Sequence, residues 1–346
     1  MTTNDRSSKA DSEKQALIRP TLKTIAEISG LAVQTVSRAL GDAPDISEKT
    51  KERVRKIADE IGYIPNRAGV RLRTGRTNVI GLVISTQNDV LNLTSRLMTS
   101  IAEGLRGTPY HLVVTPNFSD EDPMKTIRYI VQNGTADAII MNRTLPEDPR
   151  VKFLMERGFP FATHGRTVWS DQHPYFDYDN EAFGRIAVAQ LAAHGRRRIL
   201  HLAPPRVQNY AQEMFRGANS AAKDLGVDLI TPDDVTIDHH RTEIRARVRD
   251  ILEEHPDIDG LMTASPNATM AAIAGFEDAG RTIGTDFDVF SKETVPILEL
   301  FRSGIMTAKE DVTRAGAFLA RAAVHAAAKD GTAPLQYLDQ PVTAGT

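Results

Sequence analysis

The sequence contains no cysteine among its 346 residues, which excludes disulfides, thiolate metal sites and cysteine nucleophiles and fits a reducing compartment. Long apolar runs are missing too. Nothing approaches the ~18 residues of a membrane span, so no membrane partner is expected. The opening MTTNDRSSKADSEKQ lacks the apolar segment of a secretory signal, and the expected location is cytoplasmic. Catalytic signatures are equally sparse: no GxSxG elbow and no GxGxxG fingerprint occurs. The stretch 275–282 approaches a phosphate loop, but Arg281 stands where the chemistry needs lysine, and the stretch ends a helical pattern instead of linking strand to helix. His239 and His240 lack the i, i+4 spacing of a helical metal pair. Carboxylates are plentiful, yet no pair stands out for acid/base work. No enzyme activity, cofactor or metal site is expected.

What is present describes a globular chain, with 41% hydrophobic and 25% charged residues and length enough for two or three domains. A net charge of −3 hides an asymmetry. Residues 20–76 carry eleven Lys/Arg against seven Asp/Glu, whereas residues 77–346 are net −8. A small basic module therefore precedes a large acidic one, and an anionic surface suits only the first.

Residues 1–19 form a polar tail expected to be disordered. From Thr21 the spacing of Leu22, Ile25, Ala26 and Ile28 predicts a helix stopped by Gly30, and a second runs from Val33 to Leu40. Ser47 caps a third, with Val54, Ile57, Ala58 and Ile61 inward. Beyond residue 76, apolar runs of strand length at 79–84, 111–115, 138–141, 159–163, 199–203, 260–263 and 288–290 alternate with amphipathic stretches at 93–106, 123–133, 180–194, 211–225, 242–254 and 268–280. An alanine-rich stretch at 320–328 reads as a late helix. Strands separated by helices imply right-handed βαβ crossovers. The expected fold is an all-α helix-turn-helix domain followed by an α/β core of two doubly wound parallel-sheet subdomains. The expected division is a tail at 1–19, a basic helical domain at 20–66, a hinge or linker at 67–76 and a core at 77–346; its first subdomain takes about 77–176 and 306–335, its second about 177–305.

The strongest chemical signal is LKTIAEISGLAVQTVSRAL, residues 22–40. Ala26, Gly30 and Val36 supply a small residue at a helix crossing, a turn glycine and a β-branched lock, the requirements of a helix-turn-helix. Val33, Gln34, Ser37 and Arg38 then face outward. Gln34 can pair with adenine, Arg38 can fork onto guanine, and the Val33 and Thr35 methyls can meet thymine. A plain αα-hairpin with a solvated face is the bland alternative, disfavoured by the basic balance. Residues 65–76 hold four arginines, Arg67, Arg71, Arg73 and Arg76. They read equally as a flexible basic linker or as a hinge helix that orders on DNA, with Leu72 as an apolar wedge in the minor groove.

The run TLKTIAEISGLAVQTVSRALGDAPDISEKTKERVRKIADEIGYIPNRAGVRLRTGRTNVIGLVI resembles the opening of the lactose-repressor (LacI/GalR) family of bacterial transcriptional regulators. The resemblance is specific over about 60 residues and, in strand and helix order, extends loosely along the chain. It implies a hinge helix, a core like that of periplasmic sugar-binding proteins, and a homodimer or tetramer on palindromic double-stranded operator DNA. It also implies a small sugar effector between the core subdomains, acting from one site on another. Val33, Gln34 and Arg38 fall on the family's base-reading positions and Leu72 on its wedge; Thr21, Lys23, Thr35, Ser37, Arg67 and Arg73 complete the candidate DNA-contacting set. There are departures. Leu31-Ala32 removes the side-chain cap of the second helix, at a cost of roughly 1 kcal/mol. Gly69 and Val70 lower the hinge's helicity, the glycine by about 1 kcal/mol.

Open α/β sheets bind ligands at the carboxyl ends of their strands. The loops there read 85–89, Asn142-Arg143-Thr144, His164-Gly165-Arg166-Thr167, Pro204-Pro205-Arg206, Ser265-Pro266-Asn267 and Ser291-Lys292-Glu293. Their amides, cations and hydroxyls suit a sugar. Phe161, Trp169, Tyr175, Phe176 and Tyr178 are candidates for its apolar faces or for the core. Relative to the family, Ser265-Pro266 replaces an Asn-Asp pair, Ser291-Lys292-Glu293 replaces Gly-Phe/Tyr-Asp with Glu293 in place of the aspartate, and an arginine near Met214 is absent. Candidate effector residues are Asn92, Asn142, His164, Arg166, Arg185, Tyr210, Asn267, Lys292 and Glu293, with Glu310 on the return crossover. The expected function is repression of sugar uptake or catabolism genes, relieved by a disaccharide or α-glucoside. An activator or corepressor-dependent regulator, a soluble sugar-binding protein and a sugar-metabolising enzyme are the alternatives.

Overall fold

Thr21 starts the first helix by a reciprocal cap: its Oγ1 accepts from the Thr24 N–H at 3.3 Å while Thr24 Oγ1 accepts from the Thr21 N–H at 3.1 Å. The protein is described from a computed structural model at residues 20–63, 71, 75–85, 93–118 and 120–343. The expectations for residues 1–19, Arg67, Leu72, Arg73 and Asn92 lie outside these. The chain divides into two compact units, 1–77 and 78–346.

In the first unit, α1 (Leu22–Ser29) ends at Gly30, whose φ of 69° lets its N–H reach back to the Ala26 carbonyl at 2.9 Å. Helix α2 (Val33–Leu40) follows, and its cap residue, Ala32, offers no side-chain acceptor. Helix α3 (Glu48–Glu60) starts at Ser47, whose Oγ accepts from the Thr50 N–H. Ile25, Ala26, Val36, Ala39, Val54 and Ala58 form the core of the three helices, with Ile57 and Ile61 half-buried beside them. Lys51 staples the turn after α2 to α3 through Asp42 at 3.0 Å and Glu48 at 2.7 Å.

The second unit alternates strand and helix: β1 (Val79–Ser85), α4 (Leu93–Gly104), β2 (His111–Asn117), α5 (Pro123–Asn133), β3 (Ala138–Asn142), α6 (Pro149–Glu156), β4 (Phe161–His164) and β5 (Tyr175–Tyr178) come first. Next are α7 (Asn180–Ala193), β6 (Arg198–Leu202), α8 (Asn209–Leu225), β7 (Asp228–Ile230), α9 (Arg241–Glu254), β8 (Gly260–Thr263), α10 (Pro266–Asp278) and β9 (Asp288–Glu293). The chain ends with α11 (Leu298–Phe301), β10 (Ile305–Lys309), α12 (Val312–Ala328), β11 (Gln336–Asp339) and β12 (Val342–Thr343). One sheet has the order β11-β5-β4-β3-β1-β2 and the other β12-β10-β9-β8-β6-β7; every pairing is parallel except β10 with β12.

Helices cover both faces, and strand alternation shows it. Ile80, Leu82 and Ile84 of β1 pack with α4 and α12, whereas Val83 packs with α5 and α6. On β8, Leu261 joins the α9 and α10 side and Met262 the α7 and α8 side. Helices α7 and α8 cross so closely that a Cβ on Gly217 would lie 1.9 Å from the Glu181 carbonyl oxygen, and one on Gly184 2.3 Å from that of Met214. The chain passes between the sheets after Tyr178, after Lys309 and again between β11 and β12. Among the described residues no helix is long and apolar enough to cross a membrane.

Several elements were not anticipated. Strands β5, β7, β10, β11 and β12 are short and carry polar residues among their apolar ones, so none makes an apolar run. Helix α6 follows a cap by Asp148 and a first-turn proline that a single apolar turn does not advertise.

Candidate functional site

On the first unit, α2 presents Val33, Gln34 and Arg38 to solvent, while Thr35 and Ser37 are half-buried and Val36 and Ala39 turn inward. Val33 is 43% exposed, high for a valine at the first turn of a helix. The Arg38 guanidinium leans on the Asp45 carboxylate, an exposed pair of the kind worth ~0–1 kcal/mol and readily exchanged for another acceptor. Thr21 and Lys23 are exposed at the start of α1, with the Thr21 hydroxyl already engaged in the cap. Arg53 Nη2 donates to the Ser29 carbonyl at 2.9 Å, which fixes the end of α1 against α3. The result is a rigid helix start bearing an apolar contact, an amide and a cation, which is what reading base edges in a major groove requires.

In the second unit, a cavity of about 220 Å³ opens where strands end and helices begin. Asn142, His164, Tyr178 and Lys292 come from the ends of β3, β4, β5 and β9, and Thr94, Asn180, Tyr210 and Asn267 from the first turns of α4, α7, α8 and α10. Glu310 enters from the crossing after β10.

Charge is tightly organised on this wall. Lys292 Nζ lies 2.7 Å from Glu310 Oε2 and donates to Asn180 Oδ1 at 3.3 Å. The same ammonium sits 4.9 Å from the Tyr178 ring centroid and 5.6 Å from that of Tyr210. His164 Nε2 is 3.4 Å from the other Glu310 oxygen. Burial works against the Glu310 charge, but Lys292 and His164 outweigh it and hold the carboxyl well below its ordinary range. Burial also raises both tyrosine hydroxyls.

Across the cavity, Arg143 Nη2 lies 2.6 Å from both oxygens of Asp238, joining the loop after β3 to the loop after β7. The Thr144 carbonyl, also after β3, accepts from the Asn209 N–H at the start of α8 at 2.9 Å. Arg143 has a left-handed backbone, φ 53°, and a buried pair behind it holds that turn. Arg150 Nη2 donates to the carbonyls of Asn142 at 3.2 Å and Arg143 at 3.0 Å while it meets Asp148 Oδ2 at 2.7 Å. Burial opposes the Asp148 charge, and Arg150 with two backbone N–H groups keeps its carboxyl below the usual value.

Of the candidate effector residues, Asn142, His164, Tyr210, Asn267, Lys292 and Glu310 line the cavity together. Arg166 does not: it stands behind the wall, its Nε donating to Asp177 at 2.8 Å and its Nη2 lying 2.9 Å from Glu213 Oε2 without hydrogen-bond alignment. Burial, with Asp177 nearby, pushes the Glu213 carboxyl up to about 7. Arg185 points away on the surface of α7, paired with Glu181 one turn earlier at 2.7 Å. Glu293 also turns away, accepting from the Leu298 N–H at the start of α11 at 3.4 Å. Phe161 and Phe176 belong to the core, Trp169 packs beside it, and Tyr175 meets His173 edge-on; of the candidate aromatics only Tyr178 reaches the wall, where Lys292 covers its ring. Arg143, Asp177, Asn180 and Asp238 were missed. Arg143 lay in a loop already singled out, and Asn180 was signalled by its place at a helix start beside the Asp179 cap. Asp238 had no signal, since it sits in a long loop after a three-residue strand. His239 Nδ1 accepts from the Thr236 N–H and His240 caps α9, both local turn roles.

Comparison with known proteins agrees with this geometry. Residues 21–66 match the bacterial regulatory proteins of the lacI family, and residues 77–313 match the periplasmic binding proteins and sugar binding domain of the LacI family. The chain is 29% identical over 326 residues to the HTH-type transcriptional regulator AglR of Rhizobium meliloti (strain 1021), covering 92% of this chain and 90% of that one. It is 27% identical over 327 residues to the HTH-type transcriptional regulator CelR of Thermobifida fusca, covering 92% and 95%. Among solved structures, the Lac repressor dimer bound to operator and the anti-inducer ONPF superposes with a TM-score of 0.80 at 19% identity, over 94% of this chain and 98% of that one. A CelR–cellobiose complex superposes with a TM-score of 0.68 at 23% identity, over the same shares. With both of its units matched in order, the chain belongs to the LacI family of bacterial regulatory proteins.

Proposed function

We propose that the protein is a sugar-responsive transcriptional repressor: a helix-turn-helix domain at 20–66, a hinge at 67–76 and an effector-binding, dimerising core at 77–346. The observation that carries the reading is the cavity at the strand ends, walled by amides, hydroxyls and paired charges, in a chain whose separate first unit offers α2 as a base-reading helix. At about 220 Å³ the cavity approaches the size of a small-ligand site, roughly 300 Å³ and upward. A CelR–cellobiose complex of the same fold supports a disaccharide as the effector. Two copies on a palindromic operator place two α2 helices in successive major grooves. The effector changes the relation of the two core sheets and with it the DNA affinity.

The test is a fluorescence-anisotropy titration on DNA from upstream of the gene and its neighbours, with and without a sugar panel. Salt-dependent, sequence-specific binding relieved by one disaccharide is expected. Arg38→Ala should lose ~1–3 kcal/mol, confined to one operator position. Wild-type affinity in that variant, or release by no sugar, overturns the reading.

A further inference from the structure

We infer that the cleft selects an uncharged effector, and that Asp238 and Glu310 are the residues that set this selectivity by cancelling the cleft's own cations. The inference rests on the sugar reading above and narrows it to a neutral glycoside, excluding sugar phosphates and sugar acids.

A site for an anionic group needs cationic donors whose charge is not already answered nearby, or helix N-termini with open N–H groups. Each cation that lines the cleft is met by a carboxylate, whereas Arg96, beside it on α4, donates to the Thr294 carbonyl at 3.3 Å. Arg143 spans both oxygens of Asp238 at 2.6 Å, and Lys292 meets Glu310 at 2.7 Å. His164 approaches the second Glu310 oxygen at 3.4 Å, and Arg166, behind the wall, meets Asp177 at 2.8 Å.

At three of the helix starts that border the cleft, one first-turn N–H is already taken or missing. Helix α10 has Pro266 in its first turn, which has no N–H to give. The Asn209 N–H of α8 is taken by the Thr144 carbonyl at 2.9 Å. Helix α7 begins with the carboxylate of Asp179 accepting from the Ala182 N–H at 2.8 Å. Among the described residues, an incoming phosphate or carboxylate would meet Asp238 and Glu310 beside Arg143 and Lys292, whose charges those carboxylates already balance.

For a neutral ligand the same wall is favourable. Each ion pair offers donors and acceptors side by side, as vicinal hydroxyls require.

The test is calorimetric titration of the full-length protein with a neutral disaccharide panel, the matching 6-phosphates and uronic acids, and inorganic phosphate, repeated on Asp238→Asn and Glu310→Gln. Wild type should prefer the neutral sugar by about a hundredfold or more over its phosphate, as expected when like charges face each other, and show no saturable uptake of inorganic phosphate. Asp238→Asn, at a partly exposed loop position, should gain at least about tenfold in phosphate affinity, with the neutral sugar competing for the site. Circular dichroism verifies that each variant is folded; if Glu310→Gln unfolds, Asp238→Asn carries the test alone. Tighter binding of a sugar phosphate or uronate by wild type, or unchanged phosphate affinity in the folded variants, overturns the inference. Operator release by a phosphorylated sugar would keep the sugar reading and overturn this one, whereas operator release by no sugar at all would overturn the sugar reading itself.

Discussion

His201 shows how one side chain can carry a pH dependence far from any ligand. It lies on β6, fully buried, its ring stacked 6.4 Å from that of Phe215, its Nδ1 3.5 Å from Thr231 Oγ1 and its Nε2 without a partner among the described residues. Burial, aided by the Arg206 charge, pushes its pKa down to about 4, below the ordinary value of 6.5. The folded protein therefore keeps the ring neutral. Its contribution is present above pH 6.5 and is lost as pH falls towards 4, because the unfolded chain gains a proton first. Glu213, raised to about 7, works in the opposite sense: its contribution is present at low pH and is lost as pH rises towards 7. A bare stability curve mixes the two, and a comparison with His201→Gln separates them. The penalty for that substitution in urea melts should shrink by about 2 kcal/mol between pH 7.5 and pH 5. Parallel curves for the two proteins would rule this out.

At the scale of elements, the crossing of α7 and α8 is set by two glycines rather than by apolar bulk. With the Glu181 carbonyl 1.9 Å from where a Cβ would stand, Gly217→Ala must push the helices apart and loosen the packing of Phe183, Met214 and Phe290 beneath them. A loss of roughly 3 kcal/mol is expected, read by thermal or denaturant unfolding; wild-type stability would mean that the crossing can slide. Elements with strong punctuation were legible in the sequence, such as α5 between its Asp122 cap and Gly134, or α3 behind Ser47. Short strands such as Tyr175–Tyr178 were not, since an edge or crossover strand takes its place from its neighbours rather than from its own apolar period. The cleft divides the same way. Asn142, His164 and Lys292 could be found because strand ends mark the ligand side of an open sheet. Arg185 and Glu293 misled because one turn of helix, or one residue along a strand, decides which way a side chain points, and neither direction is visible without the partner.

For the whole molecule, two separate sites on one chain make a thermodynamic demand. If effector weakens operator binding, operator must weaken effector binding by the same factor, commonly about 5- to 150-fold. Calorimetric titration of the effector into free protein and into protein saturated with operator should return the factor measured from the DNA side. Unequal factors would mean that a further species, such as a change of oligomeric state, takes part. The distribution of charge sets a second whole-molecule property: the cations that answer phosphates are concentrated in residues 20–76, while the remainder repels polyanions, so orientation on DNA is selected before any base is read.

The path of the chain between the two sheets also bears on how the protein is made. Residues 336–339 supply the outermost strand of one sheet, and 342–343 that of the other. The long helix over the first sheet, Val312–Ala328, is itself made only after most of the second sheet. On the ribosome, then, neither half can be completed ahead of the other. Both wait with open edges for the same last few residues, and a chain broken off before residue 336 leaves two unfinished sheets rather than one finished half and one missing.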